Sequence, residues 1–187
     1  GRVSVGANGF NYSNTVSAVS INVGYVPAGS ASKQTGTVGS TGAGTGTTSI
    51  ALSGSPMDGL TVYAGTGNKA NADSPEQEDD LMTYAAVYAY GPVTVGYQES
   101  EKEGNTAANT DEFEAFGITY AVTEDISVGF AESTVDLGSS ATDQVTQNVS
   151  FSYTMGGMSV TGSFIDQENS GGSTAAADDR KGYELGL

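Results

Sequence analysis

The chain has 187 residues, with 6 Lys+Arg against 22 Asp+Glu, a formal net charge of −16, and neither His nor Cys. That excludes a Ser-His-Asp triad, a Cys-His pair, a zinc finger and a His-ligated haem. It also excludes the clustered basic residues a phosphate-backbone binder needs, so no nucleic-acid partner is expected. Nor is a transmembrane helix expected, because no run approaches the ~18 apolar residues one requires.

Period-two alternation runs through the sequence and marks strands. In chain order the pattern predicts strands near 3–12, 18–25, 46–53, 60–67, 81–90, 93–101, 113–122, 126–135, 145–155, 158–167 and 179–187. Val19, Ile21, Val23 and Tyr25 alternate with Ser20, Asn22 and Gly24. Val149, Phe151, Tyr153 and Met155 alternate with Ser150, Ser152 and Thr154. Connections alternate in length. The short ones are 13–17, 53–59, 91–92, 123–125 and 156–157; the long ones are 26–45, 68–80, 102–112, 136–144 and 168–178. In an up-and-down antiparallel sheet this places every short turn at one end and every long loop at the other.

Three hairpins fix a register. Across Gly91-Pro92, residues 90, 88 and 86 face 93, 95 and 97. Across Gly156-Gly157, residues 155, 153, 151 and 149 face 158, 160, 162 and 164. Across 123–125, residues 120, 118 and 116 face 128, 130 and 132. In each, the apolar residues land together, and a one-residue slip would mix the faces. The second face is small and polar, with charge confined to the long-loop ends. A soluble sandwich would carry Lys, Glu and Arg there. The stretches free of charge match the ~9–11 residues of a tilted strand crossing a bilayer. A sheet in lipid must close, because unpaired backbone groups there cost several kcal/mol each.

Tyr88-Ala89-Tyr90-Gly91-Pro92-Val93-Thr94-Val95-Gly96-Tyr97, the hairpin 151–160 and the closing Tyr183-Glu184-Leu185-Gly186-Leu187 together resemble a Gram-negative outer-membrane general-diffusion porin. The likeness is to the alphaproteobacterial type of the sixteen-stranded trimeric family, in its C-terminal portion. The resemblance implies an all-β transmembrane antiparallel up-and-down barrel, here about eleven strands of sixteen. It implies one barrel domain over 1–187, a fragment lacking N-terminal strands and the last few C-terminal residues. The family's constriction loop would precede it.

The implied function is a water-filled channel for passive diffusion of small hydrophilic solutes and ions, with no enzyme activity and no cofactor. Location in the outer membrane, contact with lipid and lipopolysaccharide, and a homotrimer are implied likewise. The alternative is a secreted acidic repetitive β-protein, an adhesin or surface-layer module, which the connection pattern and charge-free bands do not fit.

Expected pore-lining residues are Thr83, Thr94, Gln98, Thr119, Ser127, Ser150, Ser152, Ser159, Thr161, Ser163 and Glu184, which would wet the wall. Arg180 shares the parity of Glu184, and Lys181 that of Tyr183. Asp73, Glu76, Glu78, Asp79 and Asp80 form an expected acidic mouth. It reads either as a solvated loop or as a cation-enriching rim. Glu99 and Glu101, on the lipid-facing parity, are candidates for divalent-cation bridging to lipopolysaccharide phosphates; no other metal site is expected. The Gly/Thr/Ser tract 36–46 lacks the GK[ST] of a phosphate loop.

Overall fold

The computed structural model describes residues 2–6, 9–26, 47–70 and 78–187, with side chains for 9–25, 47–68 and 79–187. They form one antiparallel sheet of twelve strands in sequential order. The strands are β1 (Arg2–Gly6), β2 (Gly9–Val16), β3 (Val19–Val26), β4 (Thr47–Met57), β5 (Leu60–Ala70) and β6 (Glu78–Tyr90). There follow β7 (Val93–Glu103), β8 (Asp111–Ala121), β9 (Ile126–Leu137), β10 (Gln144–Met155), β11 (Met158–Glu168) and β12 (Arg180–Gly186). Sequential order follows from the short turns: neighbours in sequence pair as hairpins.

The predicted registers at the three short turns are those observed. Tyr90 pairs Val93, Met155 pairs Met158, and Ile118 pairs Phe130. Gly91 and Gly156, each first in a two-residue turn, have φ of +56° and +59°. That sign suits a hairpin turn and is free for glycine.

Three expectations change. The segment 3–12 is not one strand but most of a hairpin, in which Val5 pairs Phe10 and Gly6 pairs Gly9. The phase of alternation flips there, from odd Val3 and Val5 to even Phe10 and Tyr12, so the residue pattern itself carries the break. The expected short connections at 13–17 and 53–59 shrink to Ser17-Ala18 and Asp58-Gly59, because β2 runs on to Val16 and β4 runs on, past a register shift between Gly54 and Met57, to Met57. The third change is at the long-loop ends, where β5–β9 run two or three residues further than hydrophobic alternation shows. Asp80 pairs Glu103, and Glu101 pairs Glu112.

Among the described residues no hydrophobic side chain is buried. The large apolar groups lie mainly on one face and are exposed: Tyr84, Tyr97, Phe116, Tyr120, Val128, Val149 and Phe151 among them. Water would penalise such a face by ~25 cal/mol for each Å². Hydrocarbon would not, so the sheet is built to stand with this face in lipid. Aromatic pairs mark both ends of the band. Tyr88 and Tyr90 stack at 6.4 Å near the short turns, and Phe164 meets Tyr183 at 5.0 Å toward the loops.

Candidate functional site: the polar face and its rims

The ladder pairings sort the paired strand residues to one of two faces; Ser55 and Pro56, at the register shift of β4, are outside this assignment. Thr83 pairs Ser100, Thr94 pairs Thr119, Ser127 pairs Ser152, and Ser152 pairs Thr161. Ser150 pairs Ser163, Thr154 pairs Ser159, and Ser163 pairs Glu184. Gln98 shares this face with Thr94 and Ser100. All of the expected wall residues thus lie on one face, which we call the inner face. Thr119, Ser127, Ser150, Ser152, Thr161 and Ser163 border a concavity of about 360 Å³, with Glu184 at its edge. Thr94 joins Thr119 and Ser150 in a second concavity of about 280 Å³.

The hydroxyls are tied to the wall without being used up. Thr83 Oγ1 lies 2.6 Å from Ser100 Oγ, and Gln98 donates to Ser100 Oγ at 3.1 Å. Thr154 and Ser159 hydroxyls sit 3.3 Å apart. Each hydroxyl keeps further donor or acceptor capacity, so such a face holds a water layer at little cost.

Among the expected mouth residues, Asp73 and Glu76 lie outside the described residues, as does the tract 36–46. Glu78 is described only as the first position of β6, pairing Ala70. Asp79 and Asp80 are consecutive strand residues, so they point to opposite faces. Asp79 lies on the inner face and is buried, 5 % exposed. Asp80 lies outward and is exposed. The two do not form one cluster.

Glu99 and Glu101 are on the outer face, as their parity implies. Glu99 pairs Glu114, and Glu101 pairs Glu112. With Asp136 they surround an outer recess of about 330 Å³. Among the described residues no group of three carboxylates converges to hold a metal ion. The outer rim continues across β9–β12 as paired polar groups. Gln147 donates to Glu132 at 2.7 Å, and Lys181 donates to Asp166 at 2.5 Å. Lys181 therefore points outward, while Arg180 pairs Gln167 on the inner parity.

Residue-type patterns miss the Lys102–Asp111 ion pair on the inner face. Both residues sit where charge reads as loop, yet they are directly opposed in the ladder. Leu81, Phe113, Val135 and Leu137, also on the inner parity, escape those patterns too. Their signal is an apolar residue on the wrong beat of the alternation.

No curated protein sequence matches the chain. Solved porins share its fold. An anion-selective porin from Comamonas acidovorans has a TM-score of 0.67 at 12 % identity, over 86 % of this chain and 48 % of that one. OccK8 (OprE) of Pseudomonas aeruginosa has a TM-score of 0.65 at 10 % identity, over 95 % of this chain and 60 % of that one. A porin structure refined at 1.8 Å has a TM-score of 0.62 at 17 % identity, over 95 % and 61 %. The chain thus spans about half to three-fifths of the length of these porins. A family profile described as Gram-negative porin matches residues 4–150. The exposed apolar face, the polar opposite face and this match agree: the chain belongs to the Gram-negative porin family, whose place is the outer membrane.

Proposed function

We propose that the protein forms a water-filled channel through which small hydrophilic solutes and ions diffuse passively, without turnover or cofactor. The observation that carries this reading is the division of one sheet into an exposed apolar face and a Ser/Thr face. Side chains such as Phe151 and Val149 suit lipid, while Ser150 and Ser152 beside them suit water. The likeness to solved porins supports the same architecture. A secreted repetitive β-protein would leave Phe151, Tyr97 and Phe116 in water.

The wall residues of the channel in this reading are the expected hydroxyls and amide, from Thr83 to Glu184. The carboxylates near the long-loop ends that lack a paired cation in the ladder, Glu99, Glu101, Glu112 and Glu114, together with the net acidity of the long loops, favour cations over anions at the mouth. Assembly as a homotrimer and contact of the outer rim with lipopolysaccharide complete the proposal.

The protein reconstituted in planar bilayers should give discrete conductance steps in KCl. Under a KCl gradient the reversal potential should have the sign of cation preference. Absence of steps overturns the channel; a clear anion preference overturns the selectivity.

A further inference from the structure

A recess of about 440 Å³ on the inner face departs from the rest of that wall. Two adjacent ladder rows build it. The row nearer the loops runs Leu81, Lys102, Asp111 across β6–β8. The next row runs Thr83, Ser100, Phe113, Val135. On the β4–β5 side the same rows continue as Ser49 and Gly67, then Ala51 and Gly65. These are small, and the floor is low there. A Cβ at Gly65 would lie 3.0 Å from Thr83 Cγ2, so even one methyl would crowd the floor.

Leu81, Phe113 and Val135 therefore stand together around a hollow, half-buried, on a face that elsewhere is mostly hydroxyls, alanine and glycine with Tyr63, Val87 and Ile165 scattered apart. At one end of the hollow sits the Lys102–Asp111 ion pair, each side chain 31 % exposed. The volume is in the ~300–1,000 Å³ range of small-molecule sites, and the composition is theirs too: apolar walls with a few placed polar groups.

Building on the channel reading, we infer that this recess binds a small zwitterion with an apolar body, of the chemical class of apolar amino acids. The charge pattern selects the head group. Lys102 and Asp111 already partner each other, so a singly charged solute that displaced one of them would leave the other charge part-buried without its partner, which is unfavourable. A zwitterion meets both at once: its carboxylate takes Lys102 and its ammonium takes Asp111. The body then covers Phe113, Val135 and Leu81, away from water. Binding of this kind is weak, as passage requires, since a solute held tightly does not leave.

Planar-bilayer recording on the intact protein that carries this chain tests this, with L-phenylalanine, L-leucine, glycine and phenethylamine as probes. L-Phenylalanine and L-leucine should reduce the open conductance in a saturable way. They should act roughly 30-fold below the concentration glycine needs, the ratio that burial of one such side chain gives. Phenethylamine, which has the body and the ammonium but no carboxylate, should act several-fold less well. Phe113→Ser should abolish the advantage of phenylalanine over glycine, and Lys102→Met its advantage over phenethylamine. Normal conductance steps with no effect of phenylalanine, or equal effects of phenylalanine and glycine, would overturn the inference while leaving the channel intact. Either variant behaving as the parent protein would overturn it too. Absence of steps in the parent protein would instead overturn the channel reading on which it rests.

Discussion

The two faces of the sheet across β9–β11 use the same backbone and opposite chemistry. Outward stand Val128, Phe130, Val149, Phe151, Val160 and Phe164; inward, between them, stand Ser127, Gly129, Ser150, Ser152, Thr161 and Ser163. In a soluble sandwich one face is a core and the other is wet. Here the apolar face is exposed and the opposite face carries the hydroxyls, so the hydrophobic pattern is turned inside out. Its stability depends on which solvent touches which face.

The sharpest way to break the comparison is to put the same charge on each face at adjacent residues. Phe151→Arg faces lipid near the middle of the band and should cost ~2–4 kcal/mol. Urea unfolding in lipid vesicles would read this as a lower midpoint. Ser150→Arg, one residue earlier, faces the inner side and should leave the midpoint nearly unchanged while moving the reversal potential toward anions. Equal losses from both would mean that the inner face is not wet.

A smaller effect is expected from packing within the outer face. Gly162 pairs Phe151, and a Cβ at Gly162 would lie 2.2 Å from the Phe151 ring. The ring lies over the glycine, covering backbone that would otherwise be bare. Gly162→Val should displace the ring and destabilise by ~1–3 kcal/mol, the usual cost of overpacking. The inner-face change Thr161→Val, at the next residue, should cost less, since no ring covers it. Comparable midpoints for the two variants would show that the aromatic cover is not what holds this part of the band.

How much of the fold is legible in the sequence depends on the strand end. Near the short turns, turn length and alternation constrain each other, and the pairs Tyr90–Val93 and Met155–Met158 follow from residue order alone. At the long-loop ends alternation stops being hydrophobic, because the outward positions carry Glu99, Glu101, Glu112 and Glu114. The backbone ladder continues regardless, since it does not depend on what the side chains are. Lys102 and Asp111 therefore look like loop residues, and nothing in their spacing marks their pairing on the inner face. The recess is hidden for a related reason. Leu81, Phe113 and Val135 are far apart in sequence and converge only through the registers of β6–β9. The opening hairpin is masked when 3–12 is taken as one alternating run, although its phase flips at Gly6.

The smallest predicted effect concerns the outer rim, where the two halves differ in kind. Across β9–β12, Glu132 has Gln147 and Asp166 has Lys181. Across β7–β8, Glu99 faces Glu114, and Glu101 faces Glu112, like charges directly opposed. Opposed side chains in an antiparallel ladder stand ~5 Å apart at Cβ, and like pairs there are unfavourable. Glu114→Gln keeps the shape and removes one charge, so it should raise the unfolding stability by about 0.5 kcal/mol at low ionic strength. The gain should fade toward 1 M salt, where the Debye length falls to ~3 Å, shorter than the separation. Lys181→Gln, on the paired half, should shift the midpoint the other way and fade over the same salt range. Divalent cations should mimic high salt on the β7–β8 half if these carboxylates attract them, shrinking the difference between the Glu114→Gln variant and the parent protein. A difference that survives 1 M salt would mean that the substitution acts through packing of the Gln side chain, not through charge.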